Sequence, residues 1–288
     1  MRKIYLGNTG EKIPIIGQGT WGIKSRKNKA YYEEWKNSIR RGIELGLTHI
    51  DTAEFYGRGT SEKIIGEIIA EYDRDDLFIT SKLFPMHIRY KTMKKAAYNS
   101  LKRLGINYFD LYLIHWPSPF VPIKKQMRVL EELVNEGRSR YIGVSNFSID
   151  QFKKAQLALK KVELVNNQVH ANLTNQNHIH NSLPYYQKKG IVMTAYSPLA
   201  HNGYSNLSGR IRDKLEKVAQ FHNATIQQLA IAWLINHENV ITIPKAFKIE
   251  HIEANAKAAE ITLTQEEISI FYNHAKQVQM SKKEGISN

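Results

Sequence analysis

The chain has 288 residues, of which 42% are hydrophobic and none is cysteine, so it can bury a sizeable core but cannot form disulfides, thiolate metal sites or a cysteine nucleophile. No apolar run approaches the roughly 18 residues of a membrane span, and the first residues lack the apolar core of a secretion signal; we expect a cytoplasmic protein without a membrane partner. The net charge of +14 comes from scattered lysine pairs without a basic stripe or tail, which favours solvated helix faces and no nucleic-acid partner.

Eight short apolar segments recur along the chain and are typical of buried parallel strands. In order they are IPIIGQGTW, LTHIDTAEFY, LFITSKLF, YFDLYLIHW, RYIGVSNF, VELVNNQV, GIVMTAYSPL and NVITIPKA. Amphipathic stretches with helix signals separate them. This alternation predicts an α/β fold, a (β/α)8 TIM barrel, with residues 1–288 as a single domain. Ahead of the first strand, RKIYLGNTGEKIPI predicts a β-hairpin with its turn at Asn8–Gly10 that caps the barrel bottom.

The helices between the strands have start and stop signals. TSEKIIGEIIAEY predicts a helix capped at Thr60 and Ser61, and further helices end at Gly105 and Gly137. The first of these has an apolar face made of Ile64, Ile65, Ile68 and Ile69. After the seventh strand, AHNGYSNLSGR predicts a long loop that is a candidate lid, followed by a helix near residues 210 to 222.

The first strand ends in Gly17-x-Gly19-x-x-Gly22, the spacing of the Rossmann dinucleotide fingerprint. That fingerprint needs a helix opening at the glycines and an acidic residue about 20 positions later. Here the basic, loop-like segment IKSRKNKA follows the glycines, and YEEWKNSIRRGIELG further on predicts a helix. The sequence therefore predicts no Rossmann site.

Polar residues close nearly every predicted strand, at the end of the barrel where active sites are built. These residues are Gly19-Thr20-Trp21, Asp51 with Tyr56 beyond it, Lys82, His115-Trp116, Ser145-Asn146, Gln168, Tyr196-Ser197 and Pro244-Lys245. Taken alone, Asp51 could cap a loop, Tyr56 could pack, and His115 could be a satisfied core histidine. Lys82 is different, because burying an unpaired lysine costs several kcal/mol. Asp51 on the adjacent strand is its predicted partner.

Together these side chains suit the reduction of a carbonyl group, which needs a proton on the developing alkoxide. Tyrosine has an ordinary pKa near 10, and an adjacent ammonium can lower a phenol pKa by about 1–3 units. We expect Tyr56 to be the general acid, Lys82 to lower its pKa while Asp51 holds the lysine, and His115 to orient the carbonyl oxygen. Aromatic residues would form a pocket that excludes water. The expected substrate-binding residues are Trp21, Tyr56, Phe84, His115 and Trp116, with Phe55 and Phe120 nearby.

The chain resembles the aldo-keto reductase family over essentially its whole length. The motifs that carry the resemblance are GQGTW, HIDTAEFYG, SKLF, LIHWP, GRSRYIGVSNF, NQV, AYSPLA and IPKA, in family order. The resemblance implies an NADPH-dependent oxidoreductase of aldehydes and ketones that binds its cofactor without a Rossmann domain. It implies that the catalytic residues are Asp51, Tyr56, Lys82 and His115.

The resemblance also implies a cofactor site along the strand ends. Tyr196 would stack on the nicotinamide, and its carboxamide would be bound by Ser145, Asn146 and Gln168. The implied cofactor contacts are Gly19, Thr20, Trp21, Asp51, Ser145, Asn146, Gln168, Tyr196, Ser197, Leu199, Pro244, Lys245, Lys248, His251 and Asn255.

Two segments depart from the family pattern. In IPKAFKIEHIEANAKA, His251 replaces the arginine that usually grips the 2′-phosphate, while Lys248 adds a cation nearby. Since histidine is mostly neutral at pH 7, we expect an NADPH preference weaker than is usual in the family, with NADH use open. In NNQVHANLTNQNHIH, His170 stands where the family has glutamate, and we interpret His170, His178 and His180 as surface histidines that bind no metal. The polar tail QVQMSKKEGISN implies an open pocket and broad aldehyde specificity.

Two other functions stay open from the sequence. A Schiff-base aldolase would use Lys82 as its nucleophile, although Asp51 would raise the lysine pKa and disfavour the neutral amine that this chemistry needs. A nicotinamide-binding redox sensor or regulatory subunit would share the fold. We expect a monomer or weak homo-oligomer; the physiological substrate and the favoured reaction direction are open.

Overall fold

The computed structural model describes residues 1–200, 204 and 209–272, and within them eight parallel strands form one sheet preceded by a two-stranded hairpin. The hairpin strands are β1 (Lys3–Tyr5) and β2 (Lys12–Pro14). The sheet strands are β3 (Gln18–Gly19), β4 (His49–Asp51), β5 (Phe78–Leu83), β6 (Phe109–Ile114), β7 (Ser139–Ser145), β8 (Leu164–His170), β9 (Val192–Tyr196) and β10 (Val240–Thr242). Strands that follow one another in the chain are hydrogen-bonded neighbours in the sheet.

The sheet closes into a barrel through bonds between its first and last strands. The amide of Gly17 donates to the carbonyl of Thr242 at 2.8 Å, and the amide of Thr242 donates to the carbonyl of Ile15 at 3.0 Å. One step further, Gly19 bridges in parallel to Lys245. This closure confirms the predicted (β/α)8 TIM barrel. The assignment of residues 1–288 to one domain stays a prediction.

Helices alternate with the strands around the barrel. They are α1 (Lys29–Glu44), α2 (Thr60–Ile69), α3 (Tyr90–Leu104), α4 (Ile123–Asn135), α5 (Ile149–Ala158), α6 (Asn177–Asn181), α7 (Leu183–Lys189), α8 (Gly209–Phe221), α9 (Ile226–Ile235) and α10 (Ile249–Lys257). None of the described helices is long and apolar enough to cross a membrane. The predicted helix near residues 210 to 222 is α8, whereas most of the candidate lid and all of the polar C-terminal tail lie outside the described residues.

The predicted helix ends can be compared with the structure directly. Helix α3 ends at Gly105 with φ 67°, and Gly137, with φ 66°, follows the end of α4, so both predicted stops are confirmed. The predicted cap at Thr60 and Ser61 is wrong, because the N-cap residue of α2 is Gly59 and no side chain caps this helix. The Ser61 hydroxyl bonds instead with two buried threonine hydroxyls. The predicted apolar face is buried as expected, with Ile64, Ile65, Ile68 and Ile69 inside.

The hairpin covers the bottom of the barrel, as the sequence predicts. Its two main apolar side chains, Leu6 and Ile13, are buried in a cluster with residues from the barrel strands. We call this set the plug cluster, and its buried members are Leu6, Ile13, Phe78, Leu111, Leu113, Val165, Val192 and Ile241. An ion pair between Glu11 and Arg140 further ties the hairpin to β7.

Candidate active site

A cavity of about 510 Å³ opens at the carboxyl ends of the barrel strands. Many of the residues that the sequence singles out line it. They are Gly19, Trp21, Asp51, Tyr56, His115, Trp116, Ser145, Asn146, Gln168, Tyr196, Ser197, Leu199, Pro244 and Lys245. The fold therefore gathers residues from seven of the eight strand ends around one cavity, as expected for a barrel active site. Lys82, at the end of the remaining strand β5, is fully buried and bonds to Asp51 and Tyr56 in the cavity wall.

Other predicted residues lie outside the wall of this cavity. Thr20 is fully buried, and its hydroxyl donates to the backbone carbonyl of Asp51 at 2.9 Å. Phe84 stacks on Phe55 with ring centroids 4.7 Å apart, beside the aromatic ring of Trp116. This pair extends the aromatic rim without lining the cavity.

The remaining predicted contacts are on or next to α10. Lys248 is the N-cap residue of this helix and is exposed, as is His251 in its first turn. Asn255 lies further along the helix and is buried, with its amide Nδ2 lacking a partner among the described residues. None of these three residues lines the cavity.

The Lys82 ammonium is the centre of the buried hydrogen-bond network. It is fully buried and donates to Asp51 Oδ1 at 2.5 Å, to the Thr52 carbonyl at 2.9 Å and to the Tyr56 hydroxyl at 3.2 Å. These three bonds use all three ammonium hydrogens. The second oxygen of Asp51 accepts from Gln168 Nε2 at 2.7 Å. The predicted pair of Asp51 and Lys82 is present, and it lies in contact with the phenol.

The backbone turn that carries Tyr56 explains how its phenol reaches Lys82. Residues Tyr56–Gly59 form a 3₁₀ turn in which Gly57, Arg58 and Gly59 have φ values of 57°, 56° and 86°. Glycine is needed at the first of these positions, because a Cβ on Gly57 would lie 2.5 Å from the carbonyl oxygen of Ile23. This left-handed turn folds the chain back so that Tyr56 lies over the end of β5.

Burial is the main cause of the pKa shifts at the site. It raises the pKa of the Tyr56 phenol well above its ordinary value, with the charges of Asp51 and Tyr196 adding to the effect. The predicted lowering of this pKa is therefore wrong in direction, because desolvation of the phenolate outweighs the nearby ammonium. Burial also raises the pKa of Asp51 and lowers that of Lys82, and each charge opposes the shift of its partner. The phenol consequently keeps its proton at neutral pH.

His115 is a neutral imidazole against an aromatic wall. Burial, with a contribution from the Lys82 charge, lowers the pKa of His115 to about 2. Its ring stacks on Trp116 at 3.7 Å between centroids and meets the Tyr56 ring edge-on at 5.6 Å. A neutral imidazole has one N–H to donate, and His115 shares the cavity with the phenol. Both groups can therefore act on one carbonyl oxygen.

The cavity also offers a flat aromatic surface and fixed amides. The Tyr196 ring is stacked on His170, 5.3 Å away at 12°, and its hydroxyl donates to Asn146 Oδ1 at 2.9 Å. Asn146 Nδ2 donates to the carbonyl of His115 and to Ser145 Oγ. The Tyr196 ring is supported on one face by His170 and lies next to the Asn146 amide. A planar ring that carries a carboxamide can stack on such a surface and bond to the amide. Two exposed lysines match a phosphate, namely Lys245 in the cavity lining and Lys248 at the start of α10. These features fit a nicotinamide dinucleotide phosphate.

Four lining residues were missed by the sequence analysis, namely His170, Pro198, Ala200 and Ile243. Three of them are immediate neighbours of predicted residues in AYSPLA and IPKA, so those motifs held the signal. The interpretation of His170 as a surface histidine is wrong, because His170 lines the cavity and stacks on Tyr196. Among the described residues, no group of histidine and acidic side chains could hold a metal ion.

The fold and site define a barrel oxidoreductase with a buried Asp–Lys–Tyr network. Residues 15–276 match the family model described as Aldo/keto reductase family, and the chain belongs to this family. It is 34% identical to the methylglyoxal reductase YeaE of Escherichia coli, an alignment that covers 90% of this chain and 89% of that protein. The thermostable aldo-keto reductase Tm1743, solved in complex with the inhibitor epalrestat, is 41% identical with a TM-score of 0.88, covering 94% of this chain and 98% of that one. An aldo/keto reductase from Klebsiella pneumoniae, solved in complex with NADP and acetate, is 33% identical with a TM-score of 0.84, covering 96% of both chains.

Proposed function

We propose that this protein reduces small aldehydes and ketones to alcohols with NADPH, and that Tyr56 donates the proton. The observation that carries this assignment is the 3.2 Å bond between the Lys82 ammonium and the Tyr56 hydroxyl, beside a cavity lined by expected cofactor contacts such as Asn146, Gln168 and Tyr196. The membership of the chain in a family of NAD(P)H-dependent reductases supports the reaction class. The solved complex of the Klebsiella relative with NADP supports the cofactor.

The proton is delivered by a phenol that is neutral before the reaction. NADPH, when bound, supplies the hydride to the carbonyl carbon. Tyr56 gives its proton to the carbonyl oxygen, and negative charge then develops on the phenol oxygen. Lys82 already donates to that oxygen, so its ammonium stabilises the developing phenolate more than the starting phenol. Asp51 holds the ammonium in place, and His115 orients the substrate by a hydrogen bond to the same carbonyl oxygen.

The strand ends and α10 would hold the cofactor. Tyr196 would support the nicotinamide ring, and Ser145, Asn146 and Gln168 would bind its carboxamide. At the other end, the 2′-phosphate would be bound by the exposed cations Lys245 and Lys248 with His251.

The preference for NADPH over NADH is proposed to be weak in this chain. His251 supplies an exposed imidazole where a guanidinium would bind phosphate with two parallel hydrogen bonds. Dissociation constants for NADPH and NADH, measured by quenching of tryptophan fluorescence, test this point. We expect NADPH to bind more tightly by about 3- to 30-fold, a range that corresponds to one charge-assisted hydrogen bond at an exposed site. Equal or tighter binding of NADH would reject the preference.

The substrate is proposed to be a small carbonyl compound with few polar substituents. The relative YeaE is named a methylglyoxal reductase, and here the cavity is flanked by aromatic rings including Trp21 and Trp116. Steady-state turnover should be measured with methylglyoxal, an aromatic aldehyde and a simple ketone, each with NADPH and with NADH. We expect turnover of both aldehydes with NADPH. Absence of turnover with every carbonyl, despite cofactor binding, would favour the redox-sensor alternative.

The Schiff-base alternative is disfavoured by the bonding of Lys82. Its ammonium is fully buried and donates all three hydrogens to fixed acceptors, which leaves no lone pair for attack on a carbonyl. Borohydride should therefore trap no substrate on Lys82. The cytoplasmic location and the monomeric or weakly associated state stay predictions from the sequence; fractionation and sedimentation would test them.

A further inference from the structure

A chain of three buried hydroxyl groups lies directly behind the Lys82 site. Thr52 Oγ1 is 2.9 Å from Ser61 Oγ, and Ser61 Oγ is 2.8 Å from Thr20 Oγ1. Thr20 Oγ1 in turn lies 2.9 Å from the backbone carbonyl of Asp51. All three hydroxyl residues are fully buried. The hydroxyl chain joins the ends of β3 and β4 to α2, and none of its hydroxyls takes part in the proposed proton transfer.

The direction of each hydroxyl bond follows from the last bond of the hydroxyl chain, between Thr20 and the Asp51 carbonyl. A backbone carbonyl can only accept, so Thr20 donates to Asp51. Each hydroxyl has one hydrogen, so the Thr20 oxygen must accept from Ser61. By the same argument the Ser61 oxygen accepts from Thr52. Only this one direction along the chain satisfies all three groups.

The hydroxyl chain fixes two residues that accept hydrogen bonds from the Lys82 ammonium. Asp51 contributes its carboxylate to Lys82, and Thr52 contributes its backbone carbonyl at 2.9 Å. The carbonyl of Asp51 accepts from both the hydroxyl and the amide of Thr20. Two of the three acceptors of the Lys82 ammonium are therefore anchored through the hydroxyl chain.

The hydroxyl chain also links the two ends of the segment that carries Tyr56. Thr52 lies just before this segment and Ser61 just after it, and their hydroxyls join its two ends. Between them lies the left-handed turn, which includes the non-glycine residue Arg58 at φ 56°. A non-glycine residue in that conformation costs free energy and persists only where the surrounding structure fixes it.

We propose that Thr20, Thr52 and Ser61 are positioning residues that set the contact between the Lys82 ammonium and the Tyr56 hydroxyl. This inference rests on the proposed role of Tyr56 as proton donor. Removal of the central hydroxyl leaves Thr52 without an acceptor and Thr20 without a donor, and it frees one end of the Tyr56 segment. The ammonium then stabilises the developing phenolate less well. The expected consequence is a lower kcat with little change in KM.

The test compares variants that differ by one hydroxyl. Ser61→Ala removes the central link, Thr20→Val removes the last link with nearly the same shape, and Thr20→Ser keeps that hydroxyl. Ser139→Ala is the matched control, because Ser139 is buried at the other end of the barrel, where its hydroxyl donates to the Tyr141 carbonyl at 2.6 Å. Each variant is assayed for kcat, KM, the solvent deuterium isotope effect on kcat, NADPH affinity and urea stability.

We expect Ser61→Ala and Thr20→Val to lower kcat by about 10- to 100-fold, the size of effect that small misplacements of reacting groups produce. KM should change by less than about threefold, and the isotope effect should rise as proton transfer limits the rate. Thr20→Ser keeps the hydroxyl and should recover most of the kcat that Thr20→Val loses. Ser139→Ala should lose a similar amount of stability and keep the wild-type kcat.

Wild-type kcat in both Ser61→Ala and Thr20→Val would overturn the inference and leave the proposed function standing. Equal losses of kcat in Thr20→Val and Thr20→Ser would overturn it too, because the hydroxyl would not be the cause. If Ser61→Ala does not fold, the two Thr20 variants decide the question. A folded wild-type protein that binds NADPH but reduces no carbonyl compound would overturn the proposed function together with the inference.

Discussion

Both ends of the barrel bury side chains, but the buried side chains at the two ends differ in chemistry. At the bottom, the hairpin and the plug cluster bury apolar side chains such as Leu6 and Ile13. At the carboxyl end the buried groups are polar and charged, and Asp51 accepts from both Lys82 and Gln168. Apolar burial stabilises a fold directly, whereas a buried ion pair contributes little and is costly when broken. The contrast indicates that the bottom of the barrel serves stability and the top serves chemistry.

The largest expected effect follows from breaking the buried pair. Lys82→Met leaves the Asp51 carboxylate buried with Gln168 as its remaining side-chain partner among the described residues. We expect a loss of about 3–5 kcal/mol in the free energy of unfolding, measured by urea denaturation, together with loss of turnover. The double variant Asp51→Asn/Lys82→Met should recover part of the stability and none of the turnover. A double variant that is no more stable than Lys82→Met would show that the unpaired charge is not the cause.

A substitution in the plug cluster should lower stability without lowering turnover. Leu6→Ala removes a fully buried side chain from the plug cluster and is expected to cost about 2–5 kcal/mol in the free energy of unfolding. Because no plug residue lines the cavity, kcat per folded molecule should equal that of the wild type. Stability comes from thermal or urea unfolding and kcat from steady-state assays. A drop in kcat without a drop in stability would contradict the assignment of stability to the bottom of the barrel and chemistry to the top.

The smallest effect is expected at the rim, where His87 and Glu54 connect two loops beside the site. His87 Nε2 is 3.2 Å from Glu54 Oε2, and this bond raises the pKa of His87. Because the pKa is raised in the folded state, the pair contributes its full stability below about pH 6.5 and loses it as the pH rises through the folded value. The contribution should be about 1 kcal/mol or less, since the pair is partly exposed. His87→Gln should flatten this part of the pH–stability profile; parallel profiles for variant and wild type would contradict the assignment.

The sequence predicts the barrel and the buried pair of Asp51 and Lys82, for physical reasons. Buried parallel strands are continuous apolar runs, and neighbouring strands place their ends side by side, so the sequence alone predicts the pairing of Asp51 with Lys82. The direction of the Tyr56 pKa shift could not be predicted, because it depends on how completely the fold covers the phenol. The role of Ser61 was missed for a different reason. A serine next to a helix start suits a cap and a buried hydroxyl chain equally well, and only tertiary contacts distinguish them.

The central claim is that Tyr56 completes the reduction by giving up a proton that Lys82 helps it to release. The most direct test is kcat of Tyr56→Phe with NADPH and a small aldehyde, alongside NADPH affinity measured by fluorescence. The account predicts cofactor affinity within about threefold of the wild type and a kcat lower by about 100- to 10,000-fold, the usual contribution of a general acid. A variant with unchanged affinity and nearly wild-type kcat would contradict it, because another group would then have to supply the proton.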